Sequence, residues 1–136
     1  MSPEFADTNI FVYAEHRESG EKHTKAARLI ERLVTDGIGA LSTQVLAEFY
    51  LAATSKLRMP GEAAEEVILR LATWTLHRPD YTSIIRAARL YRRYKMSWWD
   101  AVMVNSALEL DCSVLWTEDL HHGQRIGSLT VRNPFR

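Results

Sequence analysis

The chain has 136 residues, 46% of them apolar and 25% charged, a balance ordinary for a globular protein that excludes disordered and fibrous classes. Lys plus Arg and Asp plus Glu both number 17, so no global charge draws the chain to nucleic acid or anionic membrane, and any such binding needs a local patch. No apolar stretch nears the roughly 20 residues of a membrane span, the N-terminus lacks a signal-peptide pattern, and the lone Cys112 excludes an intrachain disulfide and reads as a buried, inert thiol, so a cytoplasmic protein is expected.

In chain order, the length predicts one domain over residues 1–136. "EFA" opens as a short extended segment, meets polar residues at Asp7 to Asn9, and resumes as the apolar run "IFVYA". "KHTKAARLIERLVTD" spaces Ala26, Leu29, Ile30, Leu33 and Val34 as a helix, with Gly37 ending it. "IGALS" reads as a buried strand. Helices follow in "TQVLAEFYLAATSKL", which closes at Met59-Pro60-Gly61, and in "EAAEEVILRLATW", whose acids favour its first turn. "RPD" breaks the chain before the helix "YTSIIRAARLYRRYK". A helix opens at "SWWD", followed by the strand "SVLWT", the turn "EDLHHGQ" and a last strand near "LTVRN". Strands alternating with helices predict an α/β domain with a mainly parallel sheet. Between Thr43 and Lys95 the pattern shows three helices and no convincing strand, which reads as a helical insertion beside the sheet.

Four carboxylates sit at telling places. Asp100 is three residues after Ser97, a capping position, yet it shares a helix side with Met103, Val104, Ala107 and Leu108. Asp7 lies in "ADTNI", a turn signal after a strand. Glu48 lies off the apolar stripe of its helix, near Gln44 and Ser55, facing either solvent or a cleft. Asp119 follows "SVLWT" in a polar turn. Sites in open parallel sheets collect beyond the carboxyl ends of strands, where Asp7 and Asp119 both fall. Carboxylates about 4 Å apart repel by about 4 kcal/mol at an effective dielectric of about 20. A cluster of them needs protons or a cation, and oxygen donors select Mg²⁺ or Mn²⁺. Such a metal activates water and neutralises charge on a phosphodiester.

"DTN", a Glu in an apolar helix, "SWWDA" opening a helix and "WTEDL" after a strand resemble a PIN domain, and most nearly the VapC-type toxin ribonucleases of toxin–antitoxin pairs. The resemblance spans the chain, including "TEDLHHGQ" and "VRNPF", although "PEFA" is a shorter and less apolar opening strand than the family's. It implies a three-layer PIN-like fold in which a short, mainly parallel central sheet is flanked by helices. It also implies that Asp7, Glu48, Asp100 and Asp119 form an acidic quartet. Asp7, Asp100 and Asp119 would be the main ligands of Mg²⁺ or Mn²⁺, all within one metal shell, and Glu48 would hold a metal or its water. Thr8, Asn9 and Thr117 would orient them, and Glu118 has no ligand role. The implied activity is endonucleolytic hydrolysis of RNA, neutralised by a cognate antitoxin, in a homodimer. The alternative is a catalytically silent PIN-fold module that binds RNA or protein.

Arg86, Arg89 and Arg93 share a helix face and read either as a solvated face or as an RNA-binding rim. Adjacent His121 and His122 lack zinc spacing. Trp98, Trp99 and Trp116 read as core or interface aromatics, with base stacking a lesser alternative. A phosphate-transfer receiver would need a strand-end Lys paired with a phosphoacceptor Asp, and a common phosphatase pattern would need an acid where Asn9 stands. Neither is present.

Overall fold

The middle of the sheet is apolar and buried, and the order in which its strands pair decides where a site can form. The computed structural model describes residues 1–136. Strands β1 (Glu4–Ala6), β2 (Gly39–Ser42), β3 (Thr75–His77), β4 (Val114–Trp116), β5 (Arg125–Ile126) and β6 (Leu129–Arg132) form one sheet in the order β3-β2-β1-β4-β6-β5. All neighbours are parallel except the terminal β5–β6 pair. The register sets Phe5 beside Ala40 on one side and Leu115 on the other, with Leu115 beside Val131. All four are fully buried.

Helices α1 (Thr8–Glu15) and α2 (Glu21–Asp36) connect β1 to β2, and α3 (Thr43–Ser55) and α4 (Gly61–Leu71) connect β2 to β3. Helices α5 (Tyr81–Arg93) and α6 (Trp98–Glu109) then return the chain to β4 on the far side of β1. Right-handed crossovers in opposite directions put the two helix groups on opposite faces, which makes three layers. The order of connection reverses between β1 and β4, and that crevice is where open α/β sheets bind ligands.

The local signals match their elements. Ser42, Asp80 and Ser97 cap α3, α5 and α6 by accepting the backbone N–H of Val45, Ser83 and Asp100. Gly37 ends α2 in the left-handed region that glycine tolerates. The run after Asn9 continues as α1. Residues Ala101 to Ala107 of α6 are buried on all sides, so this is a central helix rather than one with a single apolar stripe. Cys112 is buried, and that burial pushes its thiol up to about 12.

Two short strands correct the sequence reading. Thr75–His77 is an edge strand within the stretch expected to be only helical, and Arg125–Ile126 pairs back on β6. Each is too short for an alternation to register. No helix is long and apolar enough to cross a membrane.

Gly39 lies flush against the Trp74 indole, and a Cβ added there would collide with it. Trp74 is itself held edge-on by Phe11 at 5.5 Å between centroids. Gly39→Ala should therefore lower unfolding stability by about 1–3 kcal/mol, read from urea melts, with the slope of the transition unchanged.

Candidate active site

The backbone after β1 turns directly into α1, and Asp7 is the pivot. Its N–H donates to the Trp116 carbonyl of β4 at 3.0 Å, extending the sheet by one bond. Its side chain caps α1 by accepting from the Thr8 N–H at 2.6 Å. Its other oxygen accepts from the Thr117 hydroxyl at 2.8 Å. Thr117 Oγ1 in turn accepts from the Asp119 N–H at 3.1 Å, so one hydroxyl ties both acids' segments together. Thr8 donates its hydroxyl to Glu48 at 2.8 Å, linking α1 to α3. Ser97 caps α6 through the Asp100 N–H at 3.1 Å, which sets the direction of that carboxylate.

These residues share one cavity of about 320 Å³, lined by Asp7, Thr8, Asn9, Glu48, Asp100 and Asp119 together with residues of α3 and α6. The structure therefore brings all four sequence-singled acids together, with Thr8 and Asn9 among them. Thr117 lies just beneath, fully buried. None of the four acids has an ion-pair partner. Burial raises the Asp7 carboxyl from its ordinary value to about 7, opposed by the Thr117 hydrogen bond and reinforced by the charge of Asp119. Asp100 is raised too, first by burial and then by the charges of Asp119 and Glu48, against the Ser97 bond.

Oxygen donors of this kind suit a hard divalent cation. One further polar atom has the same implication: Gln44 Oε1 is buried with no hydrogen-bond partner and belongs to a lining residue of this cavity. Asp7, Asp100 and Asp119 line this one cavity. No three His, Cys, Asp or Glu side chains close on a common point as they stand. An ion that keeps several waters and takes only one or two carboxylates directly fits so open an arrangement.

Glu118 is turned away from this cluster, as expected. It accepts from Tyr13 Oη at 2.6 Å and from Lys22 Nζ at 2.7 Å. Burial alone would raise its carboxyl, but Lys22 and Tyr13 outweigh that and hold it low. The pair pins the turn that carries Asp119. Arg86, Arg89 and Arg93 do not reach the acidic cavity. They line a separate hollow between α5 and α6, where Arg86 pairs with Glu109. His121 and His122 are exposed.

Of the core and interface readings of Trp99, the structure removes the first. Trp99 is 60% exposed and stands on the rim of the acidic cavity, its carbonyl accepting from Gln44 Nε2 at 3.3 Å. Trp98 is half-buried, edge-on to Tyr91 at 5.9 Å, and Trp116 donates Nε1 to Glu4 at 2.8 Å. Sequence reasoning also missed Lys56. Helical spacing carried the signal, because Lys56 lies eight residues after Glu48 on the same face of α3.

The chain's relatives share this architecture. The PIN domain family profile matches residues 5–125. A toxin–antitoxin complex from Klebsiella pneumoniae is similar with a TM-score of 0.69 at 19% identity, over 96% of this chain and 97% of that one. VapC20 from Mycobacterium tuberculosis, a sarcin–ricin loop cleaving toxin, is similar at 0.65 and 16% identity, over 82% of this chain and 85% of that one. VapBC2 from Rickettsia felis, bound to a promoter DNA fragment, reaches 0.67 at 19%, over 96% and 97%. At these identities the likeness is one of fold. No protein of curated function matches the sequence.

The Asp7 shift has a testable sign. Between pH about 4 and about 7 the folded chain keeps a proton that the unfolded chain has lost, so metal-free stability should fall as pH rises through that window and stay low above it. Asp7→Asn should flatten this part of the profile and stabilise the metal-free protein at pH 8 by up to about 4 kcal/mol. Denaturant melts in EDTA at a series of pH values measure both effects.

Proposed function

We propose, from the premise that this chain belongs to the PIN-domain family, that it is a divalent-metal-dependent endoribonuclease of the VapC toxin type. The observation that carries the reading is the meeting of four unpaired carboxylates in one cavity at the β1–β4 crevice, with Asp7 pushed up to about 7. A structural role alone would favour neutral or ion-paired groups at such a place.

Asp7, Asp100 and Asp119 would hold Mg²⁺ or Mn²⁺, directly or through its waters, with Glu48 holding a metal or its water. When bound, the ion supplies an activated water and neutralises charge on the scissile phosphate. The protein's own part is positioning. Thr117 and the Thr8 N–H fix both oxygens of Asp7, which leaves their remaining lone pairs directed by the fold. Thr8 Oγ1 restrains Glu48, and Asn9 offers an amide to the same cavity. Asp7, raised to about 7, is poised to give up its proton as a cation enters. No Ser–His or Cys–His nucleophile is needed.

The toxin–antitoxin assemblies of the related structures support a cognate antitoxin as partner, and a homodimer is the oligomer proposed. The sarcin–ricin loop, cleaved by the Mycobacterium tuberculosis relative, is the first RNA substrate to try. RNA cleavage by the purified chain should require divalent metal. It should fall at least about 100-fold in Asp7→Asn and in Asp100→Asn, with circular dichroism unchanged. Full cleavage in excess EDTA, or in either variant once contaminating nuclease is excluded, would contradict the mechanism. Absence of divalent-metal binding by calorimetry would favour the silent RNA- or protein-binding module instead.

A further inference from the structure

A cavity walled by four carboxylates repels the phosphates it is meant to receive, so the strand must be held by cations beside it rather than within it. The acidic cavity has one basic residue on its wall, Lys56. Asp119 also belongs to the wall of a second, polar cavity, formed with Lys95, Glu118, Leu120, His121 and Gln124, in which the Glu118 carboxylate is already paired with Lys22. The two hollows therefore meet at Asp119, with Lys56 lining one and Lys95 the other. On α3, Lys56 lies about 12 Å along the helix axis from Glu48, beyond the acidic cluster. Both lysines are exposed and neither has a carboxylate within 4.0 Å, unlike Lys22, Arg32 and Arg86. The exposed Trp99 indole presents an apolar face at the rim of the acidic cavity. That face has no protein ring stacked on it: the aromatic contacts of this region run between Tyr91 and Trp98.

Resting on the ribonuclease reading, we propose that these joined cavities are the track of a single RNA strand, in which Lys56 and Lys95 hold phosphates on either side of the scissile bond and Trp99 stacks an unpaired base. The track bypasses Arg86, Arg89 and Arg93, which line a different hollow. An indole stacks on any base, so Trp99 selects for an unpaired strand rather than for a sequence.

The test is anisotropy of a fluorescein-labelled single-stranded RNA with the full chain in EDTA, over a range of KCl concentrations, so that binding is read without catalysis. Lys56→Met and Lys95→Met should each weaken binding and reduce the log–log salt slope by about 0.7, and the double variant by about 1.4. Lys25→Met, whose side chain lines neither cavity, should leave the slope as it is. Trp99→Leu should weaken binding roughly fivefold or more at every salt concentration, and Trp99→Phe should restore most of it. In Mg²⁺ cleavage assays the lysine variants should raise KM and spare kcat. The track is overturned if wild type does not bind, if both lysine variants keep the wild-type slope, or if only Arg89→Met and Arg93→Met lower it. Wild type that binds with the expected pattern yet never cleaves with metal would uphold the track and sink the nuclease reading. Cleavage indifferent to both lysines would do the reverse.

Discussion

Asp7 carries the constraint on which the rest of this structure depends. It is almost wholly buried, and three bonds hold it: backbone to Trp116, side chain to the Thr8 N–H, side chain to the Thr117 hydroxyl. Two of these bonds are structural in effect. They cap α1 and continue the pairing of β1 with β4 at the place where the chain's connections reverse direction. The third leaves the carboxyl fixed in a low-dielectric setting beside Asp119 and Asp100, where ionisation is opposed. A residue that served only as a cap could be Ser or Asn without that penalty. Retaining a carboxyl there has a physical reason if a cation joins it.

The same logic explains the opening of α6. Ser97 caps the helix through the Asp100 N–H, and the next seven residues, Ala101 to Ala107, are buried. A helix enclosed on all sides offers a first-turn acid no full exit to water. Asp100 instead lines the cavity that Asp7, Glu48 and Asp119 also line. Cap and cleft therefore act together: the cap fixes the backbone, and the enclosed helix leaves the carboxylate half-buried at the cleft wall. Across the cavity, Thr8 does for Glu48 what Thr117 does for Asp7. Glu118, immediately before Asp119, points instead to Tyr13 and Lys22, and the Lys22 ammonium lies 5.0 Å over the Tyr13 ring. Neighbouring acids in one turn thus have opposite tasks, one anchoring the turn and one left free of ion pairs.

Much of this was legible before the fold was known, for reasons that differ by residue. The long helices announced themselves through periodicity and through ends such as Ser97 and Gly37, whose chemistry is local. The parallel sheet was readable from the alternation of buried strands with helices. Strand β3 was not, because Thr-Leu-His is three residues of edge strand and its pairing with β2 is a long-range contact. The four acids were singled out by position and by an ordered resemblance, yet their meeting depends on the β1–β4 crossover, which no local pattern contains. Lys95 belongs to the basic run that ends α5, but it is distant from Asp119 in sequence and shares a cavity with it only through tertiary packing. The sequence leaves Trp99 between core and surface, because an aromatic beside an apolar run usually packs inward, whereas here the helix begins at a cleft rim.

The central claim is that the buried Asp7 carboxyl holds a proton until a cation replaces it. Isothermal titration calorimetry of Mn²⁺ binding at pH 6, repeated in two buffers of different ionisation enthalpy, counts the protons released. With Asp7 near 7, close to one proton should leave per bound ion at pH 6, and far less at pH 8.5. Binding without proton release at pH 6 would contradict it.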